Sequence, residues 1–417
     1  MTVRMNASPS TWHIFGLDET GSGQLRDWHK KALENADLII ADVRFHDMLS
    51  DAGAQSLEAW PKPFSDLKSK LDSFKTKSVV LFATGDPLFY GAGASVKRYF
   101  PEQEIIIWPA LSGIQLACAH RGWQLPDCEV ISIHGRAVET VISFIYPFAK
   151  WLVIPKNAGS LHEVASCLCN KGCPEAEISA LSALGRQGES QLVTKTATQW
   201  QQASLEDMSD FYMMAVDLAP CGRVIPHNAS GVLPDEAFIS DGKLTKQEAR
   251  ASALSKLKPH PHAVLWDLGT GCGSIAIEWA RTHLKAKAYG IDSREDRLER
   301  ARANAMALGT PDVIFHKADI LSIMPDLPEP DAIFIGGGLT SEAISSSLSY
   351  LPAGGRLVCH AVTLQSEALL LEAHRRHGGD LTRITIHKAE PVGPYHGWRG
   401  LMPVTQWAYV KKADEHA

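Results

Sequence analysis

Ala263-Val264-Leu265-Trp266-Asp267-Leu268-Gly269-Thr270-Gly271-Cys272-Gly273-Ser274 is the stretch whose reading decides the fold. An apolar run reads as a buried strand, alternate glycines make a tight turn, and Ser274 opens a helix. Glycines there let the backbone approach a ligand, while the helix start offers unpaired N–H groups. Asp292 stands nineteen residues beyond Gly273, at the end of the next strand. A carboxylate so placed accepts hydrogen bonds from ribose hydroxyls. Working outward, helices are expected near Thr245–Leu257, from Ser274 and over Arg294–Ala307. Strands are expected at Lys287–Asp292, Val313–His316, Ala332–Ile335 and Arg356–His360. Ile384–Ala389 and Thr405–Lys412 read as an antiparallel pair of edge strands. Lys317-Ala318-Asp319 ends one strand, where such folds contact adenine. Gly336, Gly337 and Gly338 end another, where backbone N–H groups could meet a carboxylate.

The first half has the same α/β texture. Strands are expected at Trp12–Leu17, Leu38–Ala41, Ser78–Ala83, Glu104–Trp108, Val130–Ile133, Trp151–Ile154, Glu177–Leu184 and Tyr212–Leu218, with helices such as Gln24–Asn35 and Leu161–Asn170. Ala219–Pro234 holds three prolines and two glycines without periodicity and reads as a linker. The expected domains are 11–219 and 235–412, joined by 220–234.

A chain of 417 residues, 45% hydrophobic and 21% charged, is globular rather than disordered or fibrous. A net charge of −6 without a basic stripe argues against general nucleic-acid binding. No apolar run reaches the roughly 18–20 residues of a membrane span. The first sixteen residues lack the apolar core of a secretory signal. Eight scattered cysteines suit reduced thiols, so a cytoplasmic location is expected. Cys167, Cys169 and Cys173 lack a second ligand pair at zinc-site spacing and read as small core residues. The prolines of Pro259-His260-Pro261-His262 read as a helix stop. No metal is expected. Lys246 and Arg250, four apart, share a helix face, and Arg399 lies in the apparent loop Pro394–Gly400. Each is a candidate cation for an anionic substrate. Thr245 and Ser112 sit where helix caps belong. His134 and Arg136 flank Gly135 at a strand end, as a pair for carboxylates.

The glycine loop, with G-x-G-x-G spacing and Asp267 two residues ahead of it, resembles motif I of class I (Rossmann-like) methyltransferases. Gly242–Leu257, Trp266–Ala280, Asp331–Leu339 and Gly354–Leu370 resemble the decarboxylating methyltransferase domain of cobalamin biosynthesis. Thr84–Gly91, Pro109–Trp123 and Ser132–Arg136 resemble the tetrapyrrole methylases, in their precorrin-6Y branch. Both domains in this order resemble the fused precorrin-6Y C(5,15)-methyltransferase (decarboxylating) family. The resemblance implies a tetrapyrrole-methylase fold of two α/β subdomains, followed by a Rossmann-like domain. It implies two S-adenosylmethionine sites, a polycarboxylated tetrapyrrole substrate, methylation at carbons 5 and 15 with loss of the ring C acetate carboxyl, and a homo-oligomer. Carried onto this sequence, cofactor contacts fall on Thr245, Asp267, Gly269, Thr270, Gly271, Cys272, Gly273, Asp292, Ala318 and Asp319. In the first domain they fall on Gly16, Gly85, Asp86, Pro87, Leu88 and Ser112. Gly336, Gly337, Gly338, Lys246 and Arg250 fall at the reacting end, and His134, Arg136 and Arg399 on the substrate. The chain departs from the family in its first loop, where Asp18 replaces the second glycine. Two rivals follow: an RNA-modifying methyltransferase, and a corrin enzyme whose first domain no longer catalyses.

Overall fold

The computed structural model describes residues 11–18, 25–184, 191–222 and 232–412. The chain forms two compact units. One comprises Met1–Gly135, Phe148–Cys169 and Cys173–Cys221, and the other Arg136–Pro147, Asn170–Gly172 and Gly222–Ala417. Two short stretches expected in the first domain, 136–147 and 170–172, thus group with the second unit. Of the expected linker, 223–231 lies outside the described residues. Its last part is built into the second unit, because Leu233 is buried there against Phe238, Leu244 and Ile277.

The first unit holds two five-stranded sheets. Strands β1 (Trp12–Leu17), β2 (Leu38–Ala41), β3 (Leu57–Ala59), β4 (Val79–Thr84) and β5 (Ile105–Trp108) pair in the order β3-β2-β4-β1-β5, all parallel. Residues alternate between two cores, Trp12, Ile14 and Leu81 on one face and Phe15, Ile39 and Phe82 on the other. Burial on both faces is why these strands read as unbroken apolar runs. The second sheet joins β6 (Glu129–Ser132), β7 (Lys150–Ile154), β8 (Glu177–Ser182), β9 (Gln191–Thr196) and β10 (Tyr212–Asp217) in the order β6-β7-β10-β8-β9. It is mixed: β6 pairs parallel with β7, whereas β10 runs antiparallel to both β7 and β8.

The second unit contains β11 (Val264–Leu268), β12 (Lys287–Asp292), β13 (Ile314–Lys317), β14 (Ala332–Ile335), β15 (Arg356–Ala361), β16 (Asp380–Ile384), β17 (His387–Val392), β18 (Tyr395–Gly400) and β19 (Val404–Val410). Seven of them form one sheet in the order β13-β12-β11-β14-β15-β19-β16, and the strand order reverses between β11 and β14. Ligands of such sheets bind outside the carboxyl ends at that reversal.

Several expectations need correction. Ile384–Ala389 is not one strand, because the chain breaks after Ile384 and restarts at His387. Strand β19 is no edge strand: its apolar residues, with Trp407 fully buried, fill the gap between β15 and β16. Pro394–Gly400 is not a loop. Residues 395–400 form β18, which pairs with β17 in a separate two-stranded hairpin. The helix after Thr245 runs over Gln247–Leu257 and its N-cap is Lys246, not Thr245.

Arg250 departs furthest from expectation. Its side chain is fully buried, with Nη1 2.8 Å from Asp235 Oδ1 and Nε 3.5 Å from Glu278 Oε1. Its guanidinium also donates to the carbonyls of Thr245 and Leu233. Glu278, itself buried, accepts from the Leu233 amide at 2.8 Å. Arg250 therefore clamps the entry of the second unit and cannot reach a substrate. Lys246 meets the same Asp235 at 3.7 Å but stays partly exposed. Arg250→Met should cost about 3–5 kcal/mol, because Asp235 and Glu278 both lose the buried guanidinium that faces them. Lys246→Ala should cost less than about 1 kcal/mol. Denaturant unfolding of both full-length variants, followed by fluorescence, checks the contrast.

Candidate functional site

In the second unit the glycine loop is fixed by backbone conformation. Gly269, Gly271 and Gly273 have φ of 73°, 58° and 83°, a region that L side chains rarely adopt. A Cβ on Gly269 would lie 2.5 Å from the Gly337 carbonyl oxygen. The loops leaving β11 and β14 therefore touch, and the Gly336 amide donates to the Leu268 carbonyl at 3.1 Å. At Gly271 a Cβ would meet nothing within 4 Å, so this side of the turn is open. An open cradle of this kind fits a nucleoside-bearing ligand.

Two carboxylates hold the cradle. Asp267, almost fully buried, accepts from the Thr270 hydroxyl at 2.6 Å and the Ala276 amide at 3.1 Å. Burial pushes its carboxyl up to about 6, against the lowering effect of those donors, and the nearby charge of Asp292 adds to the rise. Asp292 accepts from the Gly271 amide at 3.1 Å and the Arg294 amide at 3.0 Å, with Arg297 at 3.5 Å. Cys272 is buried, and its carbonyl accepts from Asn304 Nδ2 at 2.9 Å. Asn304, overlooked in the sequence, also exchanges hydrogen bonds with the backbone of Ile239. A buried polar residue on an otherwise apolar helix face is the signal that could have marked it. The Ala318 amide donates to the Asp292 carbonyl, and Asp319 caps the next turn through the Leu321 and Ser322 amides.

The structure thus gathers Asp267, Gly269–Gly273, Asp292, Ala318, Asp319 and Gly336–Gly338 along neighbouring carboxyl ends of one sheet. Gly336 and Gly338 are exposed there. Arg250 is sequestered, as above. Arg399 lies on the exposed hairpin of β17 and β18 and pairs with Glu390 at 2.9 Å.

The first unit repeats the close approach of two loops. A Cβ on Gly16 would stand 2.4 Å from the Gly85 carbonyl oxygen, and Gly85 itself has φ of 65°. Beside these loops opens a cleft of about 330 Å³, lined among others by Asp18, Gly85, Ser112, His134 and Lys156. Ser112 caps the helix Gly113–Arg121, with its hydroxyl and amide both donating to Gln115 Oε1. Asp86 is spent on its own turn, accepting from the Leu88 amide at 2.8 Å. Pro87 is buried against Gly91 and Gly93, whereas Leu88 is exposed; neither lines the cleft. Arg136 is exposed, and His134 but not Arg136 lines the cleft. Lys156 takes that place, its Nζ 3.7 Å from Glu163. It follows β7 directly, as His134 follows β6, and that shared position could have revealed it. Thr20 and Gly21 of the first loop lie outside the described residues. Cys173 is buried, while Cys167 and Cys169 are half-buried. Among the described residues no group of three or more His, Cys, Asp or Glu side chains could hold a metal ion, and no helix is long and apolar enough to cross a membrane.

Comparisons with known proteins bear on both units. Residues 236–411 match the family described as precorrin methyltransferase domain, and residues 29–199 match the tetrapyrrole (corrin/porphyrin) methylases. The chain is 33% identical over 401 residues to a precorrin-6Y C(5,15)-methyltransferase (decarboxylating) from Sinorhizobium sp, covering 95% of this chain and 96% of that protein. A probable cobalt-precorrin-6B C(15)-methyltransferase (decarboxylating) from Pyrobaculum aerophilum is 33% identical over 187 residues, covering 43% of this chain and 95% of that one. Among solved structures, the C-terminal domain of precorrin-6Y C5,15-methyltransferase from Rhodobacter capsulatus is 38% identical, covers 44% of this chain and all of that one, and gives a TM-score of 0.42. On the full-length match, the chain belongs to the precorrin-6Y C(5,15)-methyltransferase (decarboxylating) family.

Proposed function

We propose that this chain is a two-site, S-adenosylmethionine-dependent enzyme of cobalamin biosynthesis that methylates a precorrin-6Y-type tetrapyrrole at carbons 5 and 15 and decarboxylates its ring C acetate. The observation that carries the reading is the match along 95% of the chain, supported by a glycine-walled pocket or cradle in each unit. The first unit has the tetrapyrrole-methylase fold and acts at carbon 5. The second has the Rossmann-like class I fold and carries out methylation at carbon 15 with decarboxylation.

The bound sulfonium supplies the methyl group. The chain's own residues hold and aim it: Asp267 faces the methionine end, Asp292 the ribose hydroxyls, and Ala318 with Asp319 the adenine. Gly336–Gly338 leave room for a bulky substrate against the backbone. In the first unit Gly16, Gly85 and Ser112 wall the cofactor, while Lys156 offers positive charge and His134 a ring hydrogen-bonding group to substrate carboxylates. Bridge carbons of a reduced tetrapyrrole are enamine-like nucleophiles, so alignment does most of the work and no acid–base pair is required. Decarboxylation draws on the macrocycle as electron sink, in a site that solvates the reacting carboxylate poorly.

Mass spectrometry of products after incubation with precorrin-6Y and S-adenosylmethionine tests this. Two added methyls with loss of carbon dioxide are expected. One methyl with that loss would assign the first unit a non-catalytic role, in keeping with Asp18 in its cleft. Unchanged substrate, in metal-free and cobalt-bearing forms alike, would overturn the assignment, and salt-sensitive RNA retention would favour the RNA-modifying rival.

Asp267 gives a pH test. Its raised value means that the carboxylate is lost as pH falls through about 6 rather than near 4. Cofactor affinity at the second site should weaken below that pH, measured by calorimetry, and Asp267→Asn should bind weakly without that dependence.

Among the described residues the hairpin of β17 and β18 forms a two-stranded sheet of its own, with Lys388 Nζ 4.0 Å from Asp235 Oδ2. It exposes Tyr395 and Trp398 at 77% and 78%. We propose that a second copy of the chain covers it, in a cytoplasmic homo-oligomer. Tyr395→Ala with Trp398→Ala should lower the mass seen by sedimentation; a monomeric wild-type chain would overturn this.

A further inference from the structure

The cleft of the first unit lies between the edges of its two sheets. Thr84 and Gly85, at the end of β4, and Ser112, after β5, line one wall. His134, after β6, Lys156, after β7, and Phe211 line the other. Phe211 stands with them because β10, which starts at Tyr212, runs antiparallel to β7. The two walls meet at Gly113, where a Cβ would stand 3.0 Å from the Met213 side chain.

A side chain outside the lining also joins the walls. Strand β2 pairs parallel with β4 and ends at Ala41, so the turn after it lies level with Thr84. Asp42 caps that turn, its carboxylate accepting from the Arg44 amide at 3.1 Å. The same carboxylate lies 3.6 Å from Arg44 Nε and steadies the side chain. Arg44 Nη2 then donates to the Thr84 hydroxyl, on one wall. Its guanidinium carbon stands 3.8 Å from the centre of the Phe211 ring, on the other.

The guanidinium suits this double duty. It is planar, so it donates along its edge while its face lies on an aromatic ring. A lysine ammonium, a compact charge, cannot hold both partners in that geometry. Phe211 is 51% exposed, and a cation on a ring at the surface is a modest contact that can open and close. What the contact governs follows from Thr84, which adjoins Gly85. The Gly85 carbonyl lies against Gly16, in the pair of loops assigned to the cofactor. A tie on Thr84 therefore acts one residue from that seat. Arg44 itself does not line the cleft, so it works through Thr84 and Phe211 rather than by touching a ligand.

We propose that Arg44 is a latch across the first site: by tying Thr84 to Phe211 it holds the two walls of the cleft together around S-adenosylmethionine for methylation at carbon 5. It is a positioning residue. This rests on the function proposed above and adds what keeps the first site closed on its cofactor.

The test measures KM for S-adenosylmethionine in methylation of precorrin-6Y at carbon 5, with the full-length chain. In Arg44→Met and in Phe211→Leu it should rise about fivefold or more, from the lost hydrogen bond and aromatic face. With both changes together the rise should match that of the larger single variant, because either change breaks the same latch. Arg44→Lys, which keeps the charge, should stay as impaired as Arg44→Met. Methylation at carbon 15 of substrate already methylated at carbon 5 should match wild type in every variant. Where Arg44→Met fails to fold, Arg44→Lys and Phe211→Leu carry the comparison. An active wild type with KM unchanged in either single variant overturns the latch. Effects that multiply in the double variant overturn it too, as does full rescue by lysine. A wild type that leaves carbon 5 unmethylated overturns the functional reading itself, and this proposal with it.

Discussion

Gly269 lies against the carbonyl of Gly337, closer than any side chain would permit, and the second unit's working edge is organised by that approach. It brings the turn after β11 and the turn after β14 into contact at the point where strand order reverses. Everything else at that edge is arranged around it. Asp292 reaches back to the Gly271 amide, Asn304 grips the Cys272 carbonyl, and Asp267 ties Thr270 to the first turn of the following helix. The turn is consequently held from three sides while one face stays open.

Buried charge does the corresponding work at the unit's entry. Arg250, Asp235 and Glu278 tie the residues that follow the linker to the helices beside β11. Such clusters are sensitive to losing one member even where their net contribution is small. The same constraint explains why a residue with the look of a substrate-gripping cation is structural. Four residues separate Lys246 and Arg250 on one helix, yet the first is partly in solvent and the second is sealed in the core.

How much of this was legible in the sequence follows from what each signal measures. Doubly buried strands such as β4, β11 and β14 announce themselves as continuous apolar runs, and glycines with positive φ announce the turns that follow them. The glycine turn of the second unit and the carboxylates beside it, Asp267 and Asp292, were therefore readable from spacing. Pairing partners were not. Nothing local in Thr405–Lys412 says that it inserts between two strands, because an interior antiparallel strand and an edge strand share the same apolar alternation. Nor does Tyr395–Gly400, with its two glycines, look like a strand until a partner is supplied across the turn. The first unit's cleft was half readable. His134 follows its strand as expected, but its companion is Lys156, brought alongside by the pairing of β6 with β7.

The insertion of β19 between β15 and β16 also bears on how the second unit comes into being during synthesis. Its parallel strands are made in sequence, but β16 has no sheet neighbour other than β19, which is translated after it. While residues 380–384 emerge, their backbone hydrogen-bonding groups and the apolar face of β15 await a strand still inside the ribosome. Domains generally fold as units, the N-terminal one first. Strands β1 to β10, those described in the first unit, are complete by Asp217, long before that moment. The strands of the first unit are thus all made early, whereas the second unit's sheet stays gapped until residues 404–410 arrive.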